Sequence, residues 1–260
     1  MRRIILFRFH KSPLVCKNKL EILKKLNPNI SIYGLYGGEE NKLPIFTEKL
    51  KGLVENIYCI KNKSKYYKWK NGDLAIREWF IEVGRKVDFD TVHIVEWDML
   101  ILAPISQVYK HVRKGEVGIT GLIPLKKVAH EWDWVSEKKS RELWMNLLRY
   151  VKKKYKYNKE PFASIAGGLC LPRIFLEKYS KIKVPEECHD EIRVPLFSQI
   201  FGLRMRNTKI YRGWTDPKSE EIFTCKKKNI SINVIKKELK NKNGKRVFHP
   251  YGRIDLSLIK

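Results

Sequence analysis

Two carboxylates interrupt the most apolar stretch of the chain. The run Val92–Val95 ends in Glu96, Trp97 and Asp98, and apolar character resumes at Met99 through Leu102. Acidic residues at i and i+2 on extended backbone point to one side. Glu96 and Asp98 can therefore share a hard divalent cation, or hold a water on it. Burying them with no partner would be costly, so a cation or a basic neighbour is expected beside them. The triplet recurs as Glu131, Trp132 and Asp133, between "KKVAH" and "WVSEKK". No strand leads into that copy. It reads as a mobile loop offering Trp132 and Trp134 as flat contact surfaces.

A second acidic pair, Asp190 and Glu191, follows His189 in "HDE". A carboxylate within hydrogen-bond reach of a hydroxyl can take its proton, and Asp190 is marginally favoured over Glu191 for that work. A helix N-cap explains Asp190 equally well, and the two roles coexist. Gly167 and Gly168 admit close backbone approach to a ligand, as would a strand bulge.

These residues need elements to position them. Residues 3–9, 30–37, 56–61, 91–96, 115–122 and 162–173 read as strands, the last interrupted by its two glycines. Residues 13–26, 71–87, 136–156 and 190–201 read as helices, with Asn71 or Asp73 capping the second. Pro195 is expected in or near the first turn of the fourth, where proline is tolerated. This alternation implies an α/β layered fold, and "TVHIVE" (91–96) has the two-sided apolarity of a central strand. A carboxylate at the C-terminal end of such a strand sits where open α/β sheets bind ligands.

Composition narrows the class. The chain has 260 residues, 43% hydrophobic and 12% aromatic, which suits a globular protein with a substantial core. No repeat, Pro-rich linker or low-complexity block divides it, so a single domain over 1–260 is expected. The five cysteines (16, 59, 170, 188, 225) form no C-x-x-C pair, which argues for a reducing compartment. No apolar run reaches bilayer length. "MRRIILFRFHKSP" reads as a first strand and not a signal peptide, pointing to a cytoplasmic location. The net charge of +26 implies an anionic partner or a solvated lysine surface. The basic helix 136–156 either covers the sheet or makes peripheral contact with an anionic membrane.

The order strand, helix, strand, long helix, strand ending in carboxylates resembles the GT-A fold of nucleotide-sugar-dependent glycosyltransferases. "EWD" stands where that family has its D-x-D motif, with Glu96 in place of the first aspartate. "AGGLCLPR" is similar to the later strand on the acceptor side. "HDE" falls where inverting members carry the catalytic acid pair, and "FHPYGR" resembles the C-terminal segment whose histidine adds a metal ligand.

The resemblance implies a GT-A-like, Rossmann-type sheet with flanking helices. Its nucleotide-binding half would be about 1–100, its acceptor half about 101–225, with a basic tail at 226–260. It also implies transfer from a UDP- or GDP-sugar to a glycan or lipid-linked acceptor, with Mn²⁺ or Mg²⁺ on Asp98 and His249. A surface histidine in a proline turn is the plainer account of His249. Arg8 to Lys11, including His10, would face the nucleotide, and Lys70 and Asp73 its base or ribose. Capping alone would also explain Asp73. Arg253, Lys245 and Arg246 would hold phosphate oxygens.

Three rivals fit less well. A nucleotidyltransferase would carry a glycine-rich loop after the first strand, and "FRFHKSPLVC" has no glycine. A metal-dependent nuclease would pair its acids with a lysine on the same strand, which "VEWDMLIL" lacks. A nucleic-acid-binding module leaves Glu96 and Asp98 unexplained, since carboxylates repel phosphates unless a cation intervenes, so no nucleic-acid partner is expected.

Overall fold

The apolar runs at 3–9 and 91–96 form the centre of one sheet. The computed structural model describes residues 1–165, 167–225, 229–255 and 257. Ala166 of "AGGLCLPR", and residues 226–228, 256 and 258–260 of the expected basic tail, lie outside them. The first half contains β1 (Arg3–Phe9), α1 (Pro13–Leu26), β2 (Ile32–Tyr36), α2 (Leu43–Lys49), β3 (Ile57–Cys59), α3 (Lys65–Lys70), α4 (Gly72–Glu82) and β4 (Thr91–Glu96). Then come β5 (Leu100–Ile101), α5 (Ile105–Val108), β6 (Val117–Ile119), β7 (Ile123–Pro124), α6 (Asp133–Ser136), α7 (Lys138–Tyr155), β8 (Phe162–Ala163) and β9 (Cys170–Pro172). The chain continues with α8 (Arg173–Ser180), α9 (Asp190–Ile200), β10 (Met205–Asn207), α10 (Ile232–Lys240) and β11 (Val247–Phe248).

Seven strands form the main sheet, in the order β10-β6-β9-β4-β1-β2-β3. Only β9 runs antiparallel to its neighbours β4 and β6; the other pairs are parallel. The result is the layered α/β fold expected from the alternation of elements. Side chains alternate across the sheet with period two. Ile4, Leu6, Val92 and Ile94 pack with Trp79 and Phe80 of α4, whereas Ile5, Phe7, Phe9 and Val95 pack with Leu20 and Leu23 of α1. Residues Thr91 to Val95 are all buried, as a central strand requires.

Several local expectations need correction. The helix read over 71–87 ends at Glu82 and gives way to one 3₁₀ turn at Gly84–Lys86, where Gly84 lies against the rings of Trp79 and Phe80. Asn71 occupies its N-cap position but makes no capping bond; its Oδ1 accepts from Arg193 at 2.8 Å. Pro195 lies inside α9, not in its first turn. It has no N–H to give the carbonyl of Glu191, and the Ser164 hydroxyl donates to that carbonyl at 2.6 Å.

Trp132 is buried edge-on against Trp214, so it belongs to the core and is no contact surface. Helix α7 buries Trp144, Leu147 and Val151 in the core on the Trp79 face, which accounts for its apolar side. Among the described residues no helix is long and apolar enough to cross a membrane.

Candidate active site at the strand ends

Strands β1 and β4 finish together. Their register sets Arg8 opposite Glu96, with the Trp97 N–H donating to the Arg8 carbonyl at 2.9 Å. Beyond Glu96 the chain turns, and the Met99 N–H returns to the Glu96 carbonyl at 3.0 Å. Asp98 is therefore on a turn and not on extended backbone, so the two carboxylates take different partners. Glu96 Oε1 lies 3.4 Å from Arg8 Nη1, while Asp98 Oδ1 lies 3.4 Å from His249 Nε2. The basic neighbour expected for Glu96 is Arg8. Burial pushes the Glu96 carboxyl up to about 7; Arg8 opposes this, and Asp98 and Asp190 add to it.

The segment carrying His249 arrives from far along the chain. Strand β11 pairs antiparallel with β5, aligning Val247 with Ile101 and Phe248 with Leu100. This pairing brings His249 beside the turn, and the Tyr251 N–H donates to the Asp98 carbonyl at 2.7 Å. Helix α1 fastens the residues just beyond. The buried Lys19 ammonium donates to the Gly252 carbonyl at 2.6 Å, and Asn18 exchanges two hydrogen bonds with the Ile254 backbone. Burial pulls the Lys19 amine down to about 7, with Asp98 opposing.

Nδ1 of His249 lies 2.9 Å from the Thr224 carbonyl. A proton donated there leaves the Nε2 lone pair toward Asp98. Burial works against charge on the His249 ring, but Asp98 outweighs it and raises the pKa. Burial acts upward on Asp98, and His249 outweighs it downward.

Two cis ligands of an octahedral ion at about 2.1 Å stand roughly 3 Å apart, so Asp98 and His249 fit two positions on one divalent cation. Among the described residues no group of three or more His, Cys, Asp and Glu is arranged to hold a metal. A cation held by two side chains takes its remaining ligands from water and substrate oxygens.

Asp190 closes the other side. Its Oδ2 is 3.8 Å from Arg8 Nη1, so Arg8 stands between Glu96 and Asp190. Gly72, at the start of α4, lies directly against both; a Cβ there would fall 1.9 Å from Arg8 Nη1 and 2.5 Å from Asp190 Oδ2. Asp190 is the first residue of α9 and not its cap; His189 holds the N-cap position. His189 Nδ1 is 2.8 Å from Asp190 Oδ1 and 3.4 Å from the Glu191 N–H, so the contact with the aspartate is the stronger one. Burial acts upward on Asp190, but His189 and then Arg8 outweigh it and keep the carboxyl ionised. Glu191 is engaged differently, accepting from the Trp134 indole N–H at 2.7 Å.

The other expected residues divide. The His10 ring meets the Trp97 indole edge-on at 5.5 Å and Lys11 lies over that indole, which puts both on the Asp98 side. Gly167 borders Glu96 and Met99 with φ +97°, but Gly168 packs against Ile210 and Thr120 in the core and does not face the site. Asp73 is unavailable to a base or ribose: it is buried and bound by Arg193 and Tyr179. Lys70 lies toward Glu187, Cys188 and Arg193. Arg246 is spent on the carbonyls of Glu238, Leu239 and Asn241, and Lys245 on that of Lys209. Arg253 is exposed beside Asp255.

Sequence reasoning missed His189, Arg193, Trp69 and Lys19 as parts of this region. Arg193 carried a usable signal, being a lone arginine in the otherwise apolar stretch "IRVPLF".

The sequence matches no protein-family model, and no curated protein matches it. Solved structures with a related chain path include the galactosyltransferase LgtC in complex with donor and acceptor sugar analogs, at 14% identity and TM-score 0.44, covering 80% of this chain and 74% of that one. A cytidylyltransferase from Leptospira borgpetersenii serovar Hardjo-bovis gives 12% identity and TM-score 0.44, with 80% and 76% covered. Mouse xyloside xylosyltransferase 1 gives 11% identity and TM-score 0.40, with 80% and 86% covered. These are distant likenesses, and the roles proposed for individual residues rest on this chain's own geometry.

Proposed function

We propose that this chain is a GT-A-type glycosyltransferase that moves a sugar from a nucleoside-diphosphate sugar to an acceptor hydroxyl. The observation that carries this is the facing of Asp98 Oδ1 and His249 Nε2 at 3.4 Å, where β1 and β4 end. In a chain of net charge +26, this rim gathers three carboxylates, Glu96 and Asp190 on Arg8 and Asp98 on His249. Such a place attracts a cation even though the molecule as a whole repels one.

Asp98 and His249 would hold Mn²⁺ or Mg²⁺, whose charge steadies the departing diphosphate. The Thr224 carbonyl fixes the imidazole tautomer, and the β5–β11 pairing fixes its position. His10, Lys11 and Trp97 flank Asp98 and would border the nucleotide. Arg8 stands between Glu96 and Asp190 and restrains both.

Asp190 acts as the base. Held ionised by His189 and Arg8, it accepts the acceptor's hydroxyl proton as the new glycosidic bond forms and the hydroxyl turns acidic. A base in that role implies inversion at the sugar carbon. Thermal unfolding with a panel of nucleoside diphosphates and nucleotide sugars, with and without Mn²⁺, tests the reading. Stabilisation by a diphosphate that requires Mn²⁺ is expected; stabilisation by none would remove it.

A further inference from the structure

Helix α3 presents two of its three aromatic residues to solvent. Tyr66 is 63% exposed and Trp69 53%, the two aromatics among the large apolar side chains left uncovered in the described residues. They are three apart on one helix, hence on one face, and their ring centroids are 5.8 Å apart. The helix is anchored by Ser64, whose hydroxyl accepts from the Tyr67 N–H at 3.1 Å.

The rings continue inward. Trp69 lies 5.6 Å from Trp134 and meets His189 edge-on at 5.2 Å, and Trp134 stacks on His189 at 4.1 Å with 15° between planes. His189 in turn touches Asp190 at 2.8 Å. A row of rings thus runs from solvent to the proposed base. Trp134 is fixed in its tilt by the hydrogen bond to Glu191. Packing accounts for Trp134 and His189; it does not account for the exposed faces of Tyr66 and Trp69, and exposed apolar surface of this kind marks a binding surface.

We infer that Tyr66 and Trp69, backed by Trp134, are the seat of a sugar ring of the acceptor, which makes the acceptor a glycan. A pyranose has one face of C–H groups and a rim of hydroxyls. The C–H face suits the negative face of an aromatic ring, and the rim suits carboxylates and an imidazole at the row's inner end. A lipid chain would find a buried His189–Asp190–Glu191 group where it needs apolar cover. A nucleotide would bring phosphates toward those same carboxylates. This assignment rests on the glycosyl-transfer reading.

The test uses the full chain on a printed glycan array in EDTA. Intrinsic tryptophan quenching is then followed with the free form of whichever glycan is retained. At least one glycan should bind, and Tyr66→Ala and Trp69→Ala should each weaken it by about tenfold or more. Tyr66→Phe, which keeps the ring, should bind like the parent. Tyr66 is exposed, so its variants fold even if Trp69→Ala disturbs His189.

Mn²⁺-dependent binding of a nucleoside diphosphate is measured alongside and should be unchanged in both alanine variants. No glycan retained, or parent-like affinity in Tyr66→Ala, overturns the platform while diphosphate binding leaves the catalytic reading standing. Absence of diphosphate binding in the parent would instead count against that reading.

Discussion

Arg193 and Arg8 each pair with buried or half-buried carboxylates, yet the two clusters are built on opposite plans. Arg193 is fully buried and uses all five of its N–H donors: two on Asp73, one on Asn71 and two on the carbonyls of Glu187 and Cys188. Tyr179 adds a bond to Asp73 at 2.5 Å. No Arg193 donor is left for a ligand. Around Arg8 the contacts are longer, 3.4 Å to Glu96 and 3.8 Å to Asp190. His189 Nε2 is buried with no hydrogen-bond partner among the described residues, and Asp190 Oδ1 meets only the far nitrogen of that same ring. The saturated cluster holds α4, α8 and α9 together; the unsaturated one keeps buried hydrogen-bonding capacity that the fold leaves unmet.

Changes at the open cluster should cost chemistry, and changes at the closed one stability. Asp190→Asn should lower turnover by roughly 10²–10⁴-fold, the range for loss of a general base, with diphosphate affinity and Tm near the parent. A drop in Tm with retained turnover would make Asp190 a scaffold residue.

Arg193→Met should cost about 3–5 kcal/mol, because it strands Asp73 as an uncompensated buried charge. Denaturant unfolding measures this, and adding Asp73→Leu should recover much of the loss. If the single change is silent, the closed cluster does not hold the fold.

The glycine pair gives a finer contrast. At Gly168, with φ +70°, a Cβ would stand 2.3 Å from Ile210 Cδ1, so Gly168→Ala should cost about 2–4 kcal/mol by strain plus overpacking. At Gly167, with φ +97°, the nearest atoms are 3.5 Å away or more, and backbone strain alone costs about 1–2 kcal/mol. Gly167→Ala should therefore be the milder of the two in unfolding, while its methyl beside Glu96 and Met99 should reduce activity.

Much of this arrangement could be read in the sequence. The two-sided apolarity of "TVHIVE" marks a central strand, and the same pattern sets Glu96 at that strand's end. What the sequence hides are pairings between distant segments. Nothing local to "GDLAIREW" shows that Asp73 faces Arg193, 120 residues away, and so a structural aspartate reads as a helix cap or a ligand contact. The two-residue strands β5 and β11 that bring His249 to Asp98 are too short to leave a periodicity, and only the family resemblance set those two residues together. Gly167 and Gly168 look alike in sequence because only the fold decides which one faces the carboxylates. Pro195 sits in the middle of α9, where Ser164, just past β8, satisfies the carbonyl it abandons.

The proposed cation site beside the open cluster rests on Asp98. Titration calorimetry of a nucleoside diphosphate against the parent chain should show binding with Mn²⁺ that EDTA abolishes. Asp98→Ala should lose that metal-stimulated binding while unfolding at the parent's temperature. Equal, metal-stimulated affinity in Asp98→Ala would contradict the account and move the cation elsewhere.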